Sequence, residues 1–508
     1  MKKFTSAPVL VLTLSLIFTF LFYKESLGIN LLIFELLVIC NILFVQRDNP
    51  QNLLTFFSIT TTIVTAISYV INYTEFSLIT NLISFFIMTG VFIYPKAKSL
   101  ITSIRLSISN IAFAIPNFFR TIGEIKTGKY GFSIRSVMHR LLILMLPIGI
   151  VFLFLTLYNI SSPYFNKVFS ETLEKIQALL DKIDYTWMLV FALGIFCSIF
   201  SLVRIASPSA IEKDQRSTLR MARIRKKIRS SKPFLLKREL VAAQFLLVTL
   251  NILILVLNIL DINNVWFGFL WNGSYLKQFV HAGTYVLIFS ILISIGIVLY
   301  FFRGNINFYK KSKLLKGLAI TWMLQNVVLS ISVAVRNYWY ISYFSLAYKR
   351  IGILFFLLAT VYGIFTVIIK IKNKHSSFYL FRNNSMAILV VMFIISMFNW
   401  DAIIARYNFS QYKTAFIHYD FLSSLPDKTL PYIEKSQEEL EQIDRSQEKL
   451  FRLQMKYMSS AEYFAKVEKK KAAFKSRWEE KGFLSWNYAE YFAYQNLKKP
   501  ELVSNSGK

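Results

Sequence analysis

Eleven apolar runs, each about long enough to cross a hydrocarbon layer of ~30 Å, punctuate this chain. They fall near 6–23, 29–45, 53–71, 76–94, 141–158, 187–203, 240–260, 281–302, 317–335, 351–369 and 385–400. A chain with so many water-avoiding segments cannot hide them all in one core and still show a polar surface. Composition points the same way, with 55% hydrophobic and only 17% charged residues among 508. In lipid a backbone must satisfy its own polar groups, which a helix does within one segment. The expected fold is therefore all-α: a polytopic membrane helix bundle of about eleven spans over 1–400, followed by a polar helical tail domain over 401–508. The first run follows Lys2-Lys3 like a secretory signal, but no small-x-small cleavage site follows it, so it reads as an uncleaved anchor.

Lysine and arginine outnumber acids 58 to 28, for a net charge of +30. Their placement explains the excess. If the N-terminus is cytoplasmic, the inner segments before residue 401 carry 32 basic and 5 acidic residues, and the outer ones 8 and 7. The loop at 204–239 alone holds twelve basic residues. An odd number of spans then puts the tail, with 18 basic and 15 acidic residues, outside the cytoplasm. The densest run, Arg220 to Arg229, has no interleaved aromatic residue to stack on bases, so it reads as a loop touching anionic lipid headgroups rather than nucleic acid.

Two segments outside the spans are amphipathic. Ile101, Ile104, Ile108, Ile111 and Ile115 share one helical face within 99–118, and Phe169, Leu173, Ile176, Leu180 and Ile183 share one within 166–184. Both predict helices lying on the membrane surface, and either could dock a protein partner. In the tail, Pro426 and Pro431 precede a run with Leu440, Ile443 and Leu450, and Ser459 or Ser460 is placed to cap a second helix through Lys481. The aromatic stretch from Phe483 to Tyr494 is expected to pack back on those helices or on the bundle.

Polar groups in apolar runs are costly unless they face protein or water, so function is sought there first. Glu35 lies roughly 10 Å below one end of its span at 1.5 Å per residue. Asn251 and Asn258 share a helical face, with Asp261 three residues on, and Gln325 sits on another span. Their simplest role is hydrogen bonding between helices. A band of Asp261, His281, Arg336, Tyr340, Arg350, Asp401, Arg406 and Asn408 falls at one depth, where spans begin or end on the outer side. Depth predicts a shared pocket beneath the tail, with Arg336 and Arg350 held there by Asp261 and Asp401. A ring of separate interface anchors is the alternative.

Recognisable phosphate-loop, dinucleotide, zinc-protease, C-x-x-C and nucleophile-elbow motifs are absent, and Cys40 and Cys197 both lie in apolar runs, so the sequence implies no cofactor, metal site or reaction. Tyr275 to Tyr285, Gln325-Asn326 with Arg336 and Tyr340, Leu346 to Arg350, Asn399-Trp-Asp401-Ala-Ile-Ile-Ala-Arg406-Tyr407-Asn408 and Asp420 to Asp427 resemble the signatures of a bacterial group of multi-pass membrane proteins catalogued as a domain of unknown function. The resemblance covers about 141–430, and where the group shows G-L-T this chain reads Ser345-Leu346-Ala347. The resemblance implies a bacterial integral membrane protein, expected in the inner (cytoplasmic) membrane, and supports the outer-face band without supplying an activity. The expectation is a scaffold or accessory subunit of an envelope complex. A transporter of a small solute or lipid and an extracytoplasmic lipid- or glycan-modifying enzyme are the alternatives.

Overall fold

A computed structural model describes residues 7–45, 53–125, 147, 150–156, 158–180, 185–203, 207–223, 232–267, 273–451 and 458–505. Among these the chain is helical, and an isolated bridge between Arg220 and His375 stands in place of any strand. Eight described helices are long and apolar enough to cross a membrane, and shorter apolar helices include Val9–Phe22, Ile29–Phe44 and Leu100–Pro116. The run expected at 141–158 falls partly outside the described residues, as do the basic stretch after Arg223 and the side chains of Ile176 and Leu180. Outward faces carry large apolar side chains such as Phe56, Phe245 and Phe289. That is the surface a lipid solvent requires.

The first half comprises α1 (Ala7–Phe22), α2 (Ile29–Val45), α3 (Leu53–Asn72), α4 (Glu75–Ile93), α5 (Leu100–Ile125), α6 (Pro163–Leu180) and α7 (Tyr185–Leu202). Lipid tails give helices no reason to associate by burying apolar area, so small residues that allow close approach matter most. Beside an apolar cluster that includes Phe18, Phe34, Val38 and Met88, the interior of this half accordingly holds many hydroxyls. Ser58, Thr61, Thr62 and Thr65 on α3 are buried and donate to carbonyls three or four residues earlier, satisfying themselves within the helix. At Gly90 of α4 the approach is closest, since an added Cβ would lie 2.0 Å from the Ser103 carbonyl of α5.

Helix α5 carries the isoleucine stripe, and the structure adds something the periodicity did not reveal. Ile108 and Ile111 are exposed, as for a face turned to lipid, but the opposite, polar face is not left to water. Ser103, Ser107 and Asn110 are buried, Ser107 Oγ donating to the Phe86 carbonyl at 2.6 Å and Asn110 Nδ2 to that of Phe200 at 2.8 Å. Helix α5 is thus packed into the bundle through its small polar side. Helix α6, by contrast, leaves Val168 and Leu173 exposed.

A short α8 (Pro208–Arg216) leads to the second half: α9 (Lys232–Asp261), α10 (Gly273–Phe301), α11 (Lys313–Phe344), α12 (Tyr348–Asn373) and α13 (Ser377–Ser396). Its core gathers Leu247, Ile291, Met323 and Ile364 from α9 to α12. Helix α13 joins the halves. Leu389 packs with Ile87, Val91 and Leu100, and the Ser396 carbonyl accepts from Ser68 Oγ at 2.5 Å.

The remaining chain forms α14 (Trp400–Ser410), α15 (Gln437–Leu450), α16 (Ser460–Glu479) and α17 (Tyr488–Asn505). Ser436 with Glu439, and Ser459 with Glu462, form reciprocal capping boxes that start α15 and α16. Leu440, Ile443, Tyr463, Val467, Phe474 and Leu497 share a core with Ile404 of α14 and with Ile351 of α12, a helix long and apolar enough to cross a membrane, so the tail's interior is continuous with the bundle. Leu450, expected on the same face, is exposed.

Candidate functional site

All the sequence-derived candidates except Glu35 lie in the second half or in the tail, and hydrogen bonds sort them into separate groups. Between α9 and α11 runs a ladder of polar contacts. Gln325 Nε2 donates to Asn251 Oδ1 at 2.8 Å, Asn258 Nδ2 to the Gln325 carbonyl at 3.1 Å, and Arg336 Nη2 pairs with Asp261 Oδ1 at 2.5 Å. The seven- and three-residue spacing of Asn251, Asn258 and Asp261 is what turns all of them toward the same neighbour. Arg336 and Asp261 are 5% and 4% exposed, a burial that charges tolerate only when paired.

Arg350 departs from expectation. It pairs with no acid among the described residues; its Nη1 donates to the carbonyl of Phe344 at 2.6 Å and to that of Ser345, and its guanidinium lies 4.3 Å from the centre of the Tyr340 ring. Asp401 is instead occupied by Lys428, at 2.6 Å, and accepts from the Tyr348 hydroxyl. The physical reason is reach. The chain turns at Pro426 and brings Lys428 under α14, while Arg350 is drawn to the carbonyls that end α11. Lys428 was missed because it lies outside the apolar runs, where a polar residue carries no burial signal in the sequence. All three of its donors are used, on Asp401 and on the carbonyls of Asn72 (2.9 Å) and Tyr73 (2.5 Å). Burial pushes its ammonium below the usual lysine range, and the Asp401 carboxylate pushes back.

Asn408 reads the backbone of the turn between α11 and α12. Its Oδ1 accepts from the Leu346 amide at 2.7 Å and its Nδ2 donates to the Leu346 carbonyl at 3.0 Å. That turn contains Ser345 at φ 65°, ψ −174°, a region open almost only to glycine. Arg406 stacks 4.2 Å from the centre of the Tyr432 ring and lines two other cavities, of about 440 and 340 Å³. Tyr340 and Arg350 line a cavity of about 240 Å³ with Thr284, Tyr348, Lys349 and Phe421. His281 lies in α10, but its side chain is outside the described residues. The structure thus brings Tyr340 and Arg350 to one cavity, Asp261 and Arg336 to a buried pair, and places Asp401, Arg406 and Asn408 at contacts of the tail.

In the first half Glu35 is 2% exposed and accepts from Asn81 Nδ2 at 2.9 Å, beside the hydroxyls of α3. No described hydrogen bond joins it to the Asn251–Gln325 ladder.

The helix lengths and apolar outer surfaces define an all-α bundle of membrane-protein character. The chain belongs to the family described as Domain of unknown function (DUF4153), which matches residues 33–436. That range takes in most of the bundle, the Asp401 to Asn408 segment and Lys428, and stops before α15. No curated protein and no solved structure matches the chain.

Proposed function

We propose that this protein is an integral protein of a bacterial inner membrane, with its N-terminus in the cytoplasm and its tail outside, and that it serves as a scaffold or accessory subunit of an envelope complex. The distribution of basic residues among the connecting segments supports the orientation. One observation carries the scaffold reading: four of the band's residues, Asp261, Arg336, Asp401 and Asn408, are engaged in holding helices and tail together. Asp261 neutralises Arg336, Asp401 neutralises Lys428, and Asn408 holds the Leu346 turn. A hydrolytic or transfer site would instead present a base and a nucleophile to an open space. A solute path would align polar groups across both halves, whereas Glu35–Asn81 and Asn251–Gln325 belong to separate helix pairs.

Native mass spectrometry of the protein extracted with its surrounding lipid tests this. The expected result is a second polypeptide in fixed stoichiometry, lost on charge reversal of Glu441 and Arg445 on the exposed face of α15. A chain that runs alone under every mild extraction and turns over a lipid or moves a solute overturns it.

A further inference from the structure

We infer that the cavity between the tail-side ends of α10, α11 and α12 binds the phosphate headgroup of an anionic phospholipid, whose acyl chains lie along the bundle's apolar exterior. Lys349 and Arg350 bring two cations to its wall, and neither pairs with an acid among the described residues. Arg350 is partly buried and braced on backbone carbonyls, which fixes its position without neutralising its charge. Thr284, which lines the same cavity, is 2% exposed, and its buried hydroxyl has no hydrogen-bond partner among the described residues. A buried donor of that kind needs an acceptor. No acidic residue lines the cavity among the described residues, and the remaining walls are largely aromatic and aliphatic, including Tyr285, Ile353 and Phe421. Cations, a free hydroxyl and apolar walls together fit an anion carried on an apolar body, not a free solute.

The location supplies the lipid. Tyr285 and Val286 of α10 and Leu354 of α12 are exposed apolar side chains beside this cavity in sequence, on helices with the length and hydropathy to cross a membrane. An interfacial phosphate therefore has a route to Lys349 and Arg350 from the side while its chains stay in hydrocarbon. This inference stands independently of the scaffold reading, since a structural lipid and a protein partner can share one subunit.

Native mass spectrometry of the full chain reconstituted in equal phosphatidylglycerol and phosphatidylcholine tests it. Retention of phosphatidylglycerol in preference to phosphatidylcholine is expected, with binding about fivefold weaker in Lys349→Gln, from the loss of one basic residue near a headgroup. Ile353→Trp, which fills the cavity and leaves both cations in place, should abolish the preference while its thermal unfolding stays that of the parent. Should that variant fail to fold, Lys349→Gln decides alone, because Lys349 is exposed. Equal retention of the two lipids, or an unchanged preference in the variants, overturns the inference. Protection against unfolding by inorganic phosphate as strong as that by phosphatidylglycerol overturns the lipid as the source of the anion.

Discussion

Asp261 and Arg336 leave solvent almost completely, which makes the loss of one partner far more costly than the loss of both. Arg336→Ala is expected to lower the stability of the detergent-extracted protein by about 3 to 5 kcal/mol, and a joint Arg336→Met, Asp261→Leu replacement by much less. Thermal unfolding of the two variants side by side tests this; an unchanged Arg336→Ala would show that the pair is not a buried one. Lys428 obeys the same rule and adds a pH signature. The unfolded chain keeps the lysine proton up to the ordinary lysine range, but folded Lys428 releases it sooner. Between those two values the unfolded state binds more protons, so this residue's contribution to stability rises as pH climbs through that alkaline window. Lys428→Met should be less stable at neutral pH and should lack that rise; a parallel pH profile in parent and variant would refute it. Ser345 gives a third test. Relief of its φ 65° backbone should make Ser345→Gly more stable than Ser345→Ala by about 1 to 3 kcal/mol, both variants having lost the hydroxyl's bond to the Phe416 carbonyl.

Helix ends and faces were largely legible in the sequence, and neighbours were not. Ser436 and Ser459 begin α15 and α16 because each is followed three residues later by a glutamate, a purely local pattern. Asn251, Asn258 and Asp261 share a face by arithmetic of the helix repeat. Depth placed Arg350 and Asp401 at one level, yet depth orders residues along the membrane normal without choosing which helix stands beside which. Asp401 therefore met Lys428 instead. The burial of α5 through Ser103, Ser107 and Asn110 was hidden for a related reason: a small polar face reads as a water-facing one unless the solvent on the other side is lipid. Gly90 tests that packing. Gly90→Ala should cost about 1 to 3 kcal/mol through overpacking against Ser103, whereas Gly296→Ala, with nothing within 4 Å, should be neutral or stabilising by up to ~1 kcal/mol. Equal unfolding temperatures for the two variants would mean that α4 and α5 do not approach closely.

At the scale of the whole molecule, the tail touches both halves of the bundle. Lys428 holds the turn after α3, Asn408 holds the turn before α12, and the segment before α17 holds the connection between α1 and α2. All three are at one end, so a single topology follows for the bundle and its cap. Paired reporter fusions at residues 225 and 450 should give a cytoplasmic signal at the first and an extracytoplasmic one at the second; a cytoplasmic signal at 450 would reverse the orientation.

The connection between α1 and α2 is gripped by residues near the other end of the chain. The Ser26 amide donates to Ser485 Oγ at 2.8 Å, the Ile29 amide to the Trp486 carbonyl at 2.9 Å, and the Ser485 hydroxyl to Glu25. At Gly28 an added Cβ would sit 2.5 Å from the backbone of Ser485. Because synthesis runs from N- to C-terminus, residues 25–29 wait unmatched until more than four hundred further residues have been made and placed. Closure of this clasp is thus a late event in the life of each molecule, because it requires that the segment around Ser485 has been made and has reached the same side as the first turn. A chain truncated or stalled before Ser485 would carry an open Glu25-to-Ile29 connection, its Ser26 and Ile29 amides left without these acceptors.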